Sequence, residues 1–135
     1  MILVDENILD GQRLLLEAWG IPVRQVGVDV ARKGLQDEEI IVLLRKLRKP
    51  TFFTRDTGFF RRGLCHRGYV IAVLSVGQYE VAAFVRRLLR HHGFDTQAKR
   101  MGKVIRLSPT GVACWRLGQS SVVTQDRIGR LSELG

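Results

Sequence analysis

Carboxylates follow two short apolar stretches of the chain. Residues 2–4 are apolar and lead directly into Asp5 and Glu6, and residues 51–54 lead in the same way to Asp56. Continuous apolar runs of this length are typical of strands buried on both faces of a parallel sheet. The carboxyl ends of such strands form the edge at which open α/β folds bind ligands. We therefore expect Asp5 and Asp56 to meet in space and to hold a divalent metal.

Further acids at the start of a predicted helix extend this set. Several carboxylates at one edge stay ionised together only if a cation neutralises them, and Mg²⁺ or Mn²⁺ is a cation that prefers oxygen ligands. The candidate metal ligands are Asp5, Glu6, Asp37, Glu38 and Asp56. Four of these acids also have an ordinary structural interpretation: Asp37 would make a good helix N-cap, Glu38 would complement the helix dipole, and Asp5 and Asp56 would suit turns.

The charge of the chain is distributed unevenly. Residues 1–50 carry eight basic and eight acidic residues, whereas residues 51–135 carry fourteen basic residues against five acidic ones, which accounts for the whole net charge of +9. An excess of this kind favours a polyanionic partner, because Lys and Arg neutralise phosphates and release counterions. We expect RNA, or alternatively DNA, to be that partner. The candidate phosphate contacts are Arg55, Arg61, Arg62, Arg86 and Arg90, of which the last two also suit a solvated helix face.

The elements that must position these residues alternate between strands and helices. After the first strand, the apolar periodicity predicts a helix at 10–20, an edge strand at 23–28, a helix at 37–49, strands at 51–54 and 69–74, a helix at 77–92 and a β-hairpin at about 103–116. This order is typical of a doubly wound α/β fold, and a strand order of 2-1-3-4 would place Asp5 beside Asp56. We predict one domain over residues 1–117 and a loosely ordered tail over residues 118–135.

Other features bear on compartment and assembly. The only cysteines, Cys65 and Cys114, stand far apart without metal-ligand spacing, so we expect free thiols, no structural zinc and a reducing cytoplasm. The chain has no apolar run long enough to cross a membrane, and we expect no membrane partner. An exposed edge of the predicted hairpin would permit a homodimer.

The acids and their order resemble a family. Residues 2–7, 37–40 and 54–56, together with Phe59, are similar to the small PIN-like ribonucleases, which are often the toxin of a bacterial toxin–antitoxin pair. The resemblance extends over roughly residues 1–95. It implies a three-layer α/β/α fold, a Mg²⁺- or Mn²⁺-dependent endoribonuclease activity and a cognate antitoxin protein. It also implies that Asp5, Asp37 (or its neighbour Glu38) and Asp56 are catalytic and bind the metal.

The chain departs from the family pattern at one position. The family commonly has a further acid two residues after the third aspartate, where this chain has Gly58, and Glu6 is a candidate substitute. A non-catalytic nucleic-acid-binding or interaction module on a degenerate site is therefore an alternative. A receiver-like phosphoacceptor domain is a further alternative, because it would use Asp5, Asp56 and Ser75. Two features disfavour the receiver. One is the excess of basic residues, and the other is the lack of the lysine that precedes a proline after the fifth strand of a receiver, since Lys103 is followed by Val104.

Overall fold

The fold is an alternation of strands and helices around one sheet. The computed structural model describes residues 1–118 and the backbone of Val123–Gln125. The described strands are β1 (Ile2–Val4), β2 (Arg24–Gln25), β3 (Thr51–Thr54), β4 (Val70–Leu74), β5 (Lys103–Ser108), β6 (Gly111–Arg116) and β7 (Val123–Gln125). The described helices are α1 (Asp10–Ala18), α2 (Asp37–Lys46), α3 (Val81–Arg90) and α4 (Gln97–Arg100), with 3₁₀ turns at Thr57–Phe59 and Arg62–Leu64.

The described strands form one mixed sheet in the order β2-β1-β3-β4-β5-β6-β7. Strands β1 to β5 are parallel, and β1 pairs with β3 in a register that places Leu3 opposite Phe52. Strands β6 and β7 run antiparallel to their neighbours. The predicted α/β class and mostly parallel sheet are confirmed, and β1 and β3 are neighbours as the predicted order requires.

Helices cover both faces of the sheet because the strands are apolar on both sides. Leu3 and Phe52 belong to a core that α2 closes with Ile40 and Leu44. The alternate strand residues, such as Val4, belong to a second core to which α1 and α3 contribute Leu16, Val81, Val85 and Leu88. Two cores on opposite faces account for the absence of polar alternation in the central strands.

The N-caps of the first two helices differ from the prediction. Aspartate is a preferred N-cap residue, so Asp10 and Asp37, which begin the predicted helices, would both be expected as caps. The caps are instead Leu9 and Gln36, and each aspartate is the first helical residue. At α2 the Gln36 side chain accepts from the Glu39 backbone while Glu39 Oε1 accepts from the Gln36 backbone at 3.0 Å, which is a capping box. The cap of α2 is thus provided without Asp37, and the Asp37 carboxylate is available for another role.

The third helix is shorter than predicted. It begins at Val81 rather than near residue 77, because Glu80 Oε1 accepts a 2.9 Å hydrogen bond from the Gly77 backbone and holds residues 77–80 in a turn. It ends at Arg90, two residues before the predicted end at residue 92. The short helix α4 is not predicted from the sequence.

The C-terminal strands belong to the sheet rather than to an appendage. Strand β5 pairs in parallel with β4, and a two-residue turn joins it to the antiparallel strand β6. The edge of β6 on which the homodimer expectation rests is paired with β7. The homodimer stays a prediction. Apart from Gly118 and β7, the predicted loose tail lies outside the described residues.

No described helix has both the length and the apolar character needed to cross a membrane.

Candidate active-site cleft

A cleft opens at the carboxyl ends of β1 and β3. It has a volume of about 350 Å³, and the residues that line it include Asp5, Glu6, Asp37, Arg55, Asp56 and Phe59. The chain passes from β1 to β2 on one side of this point and from β3 to β4 on the other side. The connections that follow β1 and β3 therefore diverge in opposite directions along the sheet. This is the topological switch point at which doubly wound sheets bind ligands.

Asp5 is the buried acid of the cleft. Its backbone N–H donates to the Phe53 carbonyl at 3.0 Å and so continues the pairing of β1 with β3 beyond Val4. Its side chain accepts hydrogen bonds on both oxygens, from the Glu6 backbone at 2.8 Å and from the Thr54 hydroxyl at 2.7 Å. Only 7% of Asp5 is exposed. The carboxylate is therefore held in a fixed orientation at the base of the cleft.

Thr54 connects the two aspartates that the sequence predicts to be neighbours. Its hydroxyl donates to Asp5 Oδ2 and accepts from the Asp56 backbone N–H at 3.0 Å. Thr54 is fully buried at the end of β3. Because one hydroxyl contacts both residues, a displacement of either strand end would be transmitted to the other.

Burial and neighbouring charge act together on Asp5. Burial is the largest effect and raises the pKa of the Asp5 carboxyl above its ordinary value of 3.8, and the negative charges of Glu6 and Asp56 raise it further. The hydrogen bonds from Thr54 and Glu6 oppose this shift in the pKa without cancelling it. A cation beside Asp5 would relieve the same electrostatic strain.

Asp56 is exposed and contributes a second carboxylate to the cleft. It caps the 3₁₀ turn Thr57–Phe59 through Oδ1, which accepts from the Gly58 N–H at 2.9 Å. A Cβ atom at position 58 would lie 3.1 Å from that same oxygen. A side chain at this position would therefore require the Asp56 carboxylate to shift by a few tenths of an ångström.

The remaining predicted ligands are placed differently from one another. Asp37 lies at the first position of α2 and lines the cleft. Glu6 also lines it, but its carboxylate accepts from the Gly34 backbone at 3.0 and 3.2 Å. Glu38 lines a neighbouring pocket together with Arg61. The structure thus brings Asp5, Asp37 and Asp56 to one cleft, ties Glu6 to a loop, and places Glu38 outside.

The carboxylates of the cleft do not form a preassembled set of three or more metal ligands. Within residues 1–118, no group of three or more His, Cys, Asp or Glu side chains is arranged to hold a metal ion. Asp5 and Asp56 nevertheless line the same cleft, and Mg²⁺ is commonly held by one or two carboxylates and several waters. The donor set fits a two-carboxylate site of that type.

Gln25 is a site residue that the sequence does not indicate. It is buried at the end of β2, and its Nε2 lies 3.0 to 3.3 Å from the carbonyls of Asp5, Glu6 and Ile8. The two Nε2 hydrogens are shared among these acceptors. Gln25 thereby holds the loop that follows β1. A glutamine in an apparent edge strand gives no sequence signal for this long-range role.

Comparisons with protein families, with curated proteins and with solved structures find no match.

The basic residues near the cleft differ in their surroundings. Arg55 is exposed, lines the cleft, and donates from Nε to the Val76 carbonyl at 3.0 Å. Arg61 lies in the adjoining pocket with Asp37 and Glu38. These two predicted phosphate contacts therefore lie at or beside the cleft.

An aromatic cluster begins one residue beyond Phe59. The rings of Phe60 and Trp115 lie 6.4 Å apart between centroids, Arg106 lies 4.8 Å from the Phe60 ring centre, and Arg62 lies 5.9 Å from that of Trp115. We call these four residues the aromatic–arginine cluster. Trp115 also packs against the core that contains Leu3 and Phe52, so its ring contacts both the core and a guanidinium.

Arg86 and Arg90 lie on another layer. Both belong to α3, which contributes to the core on the face opposite α2. The Arg86 guanidinium lies 3.7 Å from the centre of the Trp19 ring. Since a crossover helix runs antiparallel to the strands it connects, Arg90 at its last residue lies toward the amino edge of the sheet. These two residues are not brought to the cleft.

Proposed function

We propose that this chain is a Mg²⁺- or Mn²⁺-dependent endoribonuclease of the PIN-like type, acting as the toxin of a toxin–antitoxin pair. The observation that carries the proposal is the convergence of Asp5, Asp37 and Asp56 on one cleft at the switch point of the sheet. These are the three acids to which the family resemblance assigns catalysis. The proposed partners are RNA and an antitoxin protein, and the proposed compartment is the cytoplasm.

Asp5 and Asp56 would hold the metal, and Asp37, which lines the same cleft, would contact it through a bound water. When bound, such an ion supplies a nucleophilic water of lowered pKa and stabilises charge on the phosphoryl group under attack. Glu6 and Glu38 are weaker candidates, because Glu6 is engaged by Gly34 and Glu38 faces the neighbouring pocket.

The chain's own residues would prepare the site in distinct ways. Thr54 fixes the orientation of Asp5 through its 2.7 Å hydrogen bond. Arg55, anchored at Nε by the Val76 carbonyl, keeps its terminal nitrogens for a phosphate beside the aspartates. Arg61 would hold a phosphate one step farther along the backbone.

The aromatic–arginine cluster supports a single-stranded substrate. Unpaired bases stack on aromatic rings and on guanidinium planes, and paired bases cannot reach such surfaces. Phe60 follows directly after Phe59, which lines the cleft, so a strand whose phosphates contact Arg55 and Arg61 could place a base on Phe60. The basic excess of residues 51–135 is consistent with this path.

A non-catalytic nucleic-acid-binding module is the second candidate. Two observations favour it: Gly58 occupies the position of a further family acid, and Glu6 is turned toward Gly34. In that case the basic and aromatic surfaces would bind RNA while the aspartates act only as turn and strand-end residues.

The sheet has the fifth parallel strand that a receiver requires, but no lysine of that strand lies near Asp56. Strand β5 runs parallel to β4, so the sheet has the fifth parallel strand that the predicted hairpin left out. Lys103 is the first residue of β5 and lies at the amino edge, whereas the residue at the carboxyl end is Ser108. No lysine of β5 is therefore available beside Asp56, and we do not propose this function.

The experiment is cleavage of a mixed single-stranded RNA substrate in Mn²⁺, in Mg²⁺ and in EDTA. The proposal expects cleavage that requires metal and is lost in Asp5→Asn and in Asp56→Asn, while an Asp95→Asn control cleaves normally. RNA binding without cleavage in any of these conditions would support the non-catalytic module instead.

A further inference from the structure

Two cations face each other at the start of β5 and the end of β6. Lys103 and Arg116 are direct partners in the antiparallel register of these strands. Like charges directly opposite one another in a sheet are destabilising, because their Cβ atoms are only about 5 Å apart. This position is therefore costly unless an anion lies nearby.

A third cation, Arg67, lies in the loop before β4 and joins the pair. Arg67, Lys103 and Arg116 line a pocket of about 290 Å³ together with Met101, Gly102 and Leu117. The lining contains no acidic side chain, and none of the ion pairs formed within residues 1–118 includes any of the three cations.

The polar groups of the pocket are incompletely satisfied. Arg116 Nε is buried and has no hydrogen-bond partner among the described residues. Burial lowers the pKa of Lys103, and the positive charge of Arg116 lowers it further. The Lys103 ammonium lies 5.0 Å from the centre of the Phe94 ring, a contact that is favourable but leaves the charge uncompensated.

We propose that this pocket, which we call the amino-edge pocket, is a binding site for a phosphate group. A phosphate would offset the repulsion between Lys103 and Arg116 and would accept hydrogen bonds from the cations that line the pocket. The planar guanidinium forks of Arg67 and Arg116 match the geometry of phosphate oxygens. The group could belong to inorganic phosphate, to a mononucleotide or to the backbone of a nucleic acid.

The amino-edge pocket is separate from the cleft. Lys103 begins β5, Arg116 ends the antiparallel strand β6, and Arg67 precedes β4, so all three lie at the amino edge of the parallel strands. Asp5 and Asp56 lie at the carboxyl edge. The inference consequently stands whether or not the cleft cleaves RNA.

Titration of the full chain with inorganic phosphate at constant ionic strength tests the site, with amide NMR shifts as the readout. We expect saturable shifts of the Gly102 and Leu117 amides. Lys103→Met and Arg116→Gln should each weaken the apparent affinity by about tenfold or more, as expected for loss of one charge-assisted hydrogen bond. Lys46→Gln, which removes the same charge from the exposed surface of α2, should leave the affinity unchanged.

Thermal unfolding separates binding from misfolding of a variant. In chloride buffer Lys103→Met should unfold at the same temperature as the native chain or higher, because it removes the like-charge pair. Phosphate should raise the unfolding temperature of the native chain and of Lys46→Gln by more than that of Lys103→Met. Absence of saturable shifts at Gly102 and Leu117, or equal weakening by Lys46→Gln, would overturn the proposal.

Parallel titrations with a nucleoside 5′-monophosphate and with a short single-stranded oligonucleotide distinguish the sources. Binding of all three ligands with similar affinity per phosphate identifies a general phosphate site. A much higher affinity for the oligonucleotide that Lys103→Met abolishes identifies a nucleic-acid backbone. Oligonucleotide binding that is unaffected by Lys103→Met and by Arg116→Gln would assign that binding to another surface of the chain and would exclude a nucleic-acid backbone as the ligand of this pocket.

Discussion

The hydroxyl of Thr54 donates a 2.7 Å hydrogen bond to Asp5 Oδ2 across the β1–β3 pair. The same oxygen of Thr54 accepts the backbone N–H of Asp56 at 3.0 Å. One buried side chain thus sets the relative positions of two acids that are far apart in the sequence. In metal sites, residues that orient the ligands in this way commonly contribute substantially to metal affinity.

Removal of the Thr54 hydroxyl should loosen both aspartates. We expect Thr54→Val, which preserves the shape, to lower the free energy of unfolding by about 1–3 kcal/mol, because buried groups lose their hydrogen-bond partners. We expect its Mn²⁺ affinity to fall by about 10–100-fold. Urea unfolding and calorimetric titration measure the two effects. Thr54→Ser keeps the hydroxyl, so equal losses in both variants would contradict the proposed role.

The stability of the chain should depend on pH through Asp5. Burial raises the pKa of Asp5 above 3.8, so the folded chain retains this proton more tightly than the unfolded chain does. The contribution of Asp5 to the free energy of unfolding is therefore favourable at low pH and is lost as pH rises from 3.8 through the raised value. Asp5→Asn lacks this dependence.

Urea unfolding of both chains in EDTA, at about pH 4 and about pH 7, tests this expectation. The stability of the native chain relative to Asp5→Asn should be greater at the lower pH. If the two chains differ in free energy of unfolding by the same amount at both pH values, burial does not raise the pKa of Asp5 in the folded protein.

Gln25 should stabilise the loop that carries the acids. We expect Gln25→Leu to lower the free energy of unfolding by about 1–3 kcal/mol, because the carbonyls of Asp5 and Ile8 lose a buried donor. Hydrogen exchange should also be faster at the Ile8 amide, which bonds to the Asp5 carbonyl. Gln97→Leu, which removes an exposed bond to the Lys49 carbonyl, should change stability by less than about 0.5 kcal/mol. Equal effects of the two variants would refute the role of Gln25.

The aromatic–arginine cluster should bind bases. We expect Trp115→Ala to weaken binding of single-stranded RNA, measured in EDTA, by about 1–3 kcal/mol, the usual contribution of one stacked base. Trp19→Ala is the matched control, because Trp19 also lies under an arginine but on the opposite layer. The same loss in both variants would indicate general destabilisation, and no loss in either would exclude Trp115 as a stacking surface.

The class of fold and the meeting of two acids follow from short-range patterns. Apolar residues 2–4 and 51–54 predict buried parallel strands, and parallel strands present the residues that follow them, Asp5 and Asp56, at one edge. These features were predictable because they depend on local composition and on the direction of the strands.

The finer features depend on contacts between distant residues. Gln25 reaches the loop after β1 through its side-chain amide, and Glu6 is diverted by the backbone of Gly34, 28 residues away. The cap of α2 is decided by the reciprocal bonds of Gln36 and Glu39 rather than by the stronger intrinsic preference of Asp37. Strand β5 also pairs in parallel with β4. The local sequence pattern predicts the β5–β6 hairpin but does not show that β5 pairs with a strand about 30 residues earlier in the chain.

Calorimetric titration of Mn²⁺ into metal-free native chain, Asp5→Asn, Asp56→Asn and Asp95→Asn tests the central claim most directly. We expect one saturable site in the native chain, an affinity at least about tenfold weaker in Asp5→Asn and in Asp56→Asn, and no change in Asp95→Asn, whose carboxylate pairs with Lys99 at the surface. Equal Mn²⁺ affinity in all four chains, or no saturable binding by the native chain, would contradict a metal site shared by Asp5 and Asp56.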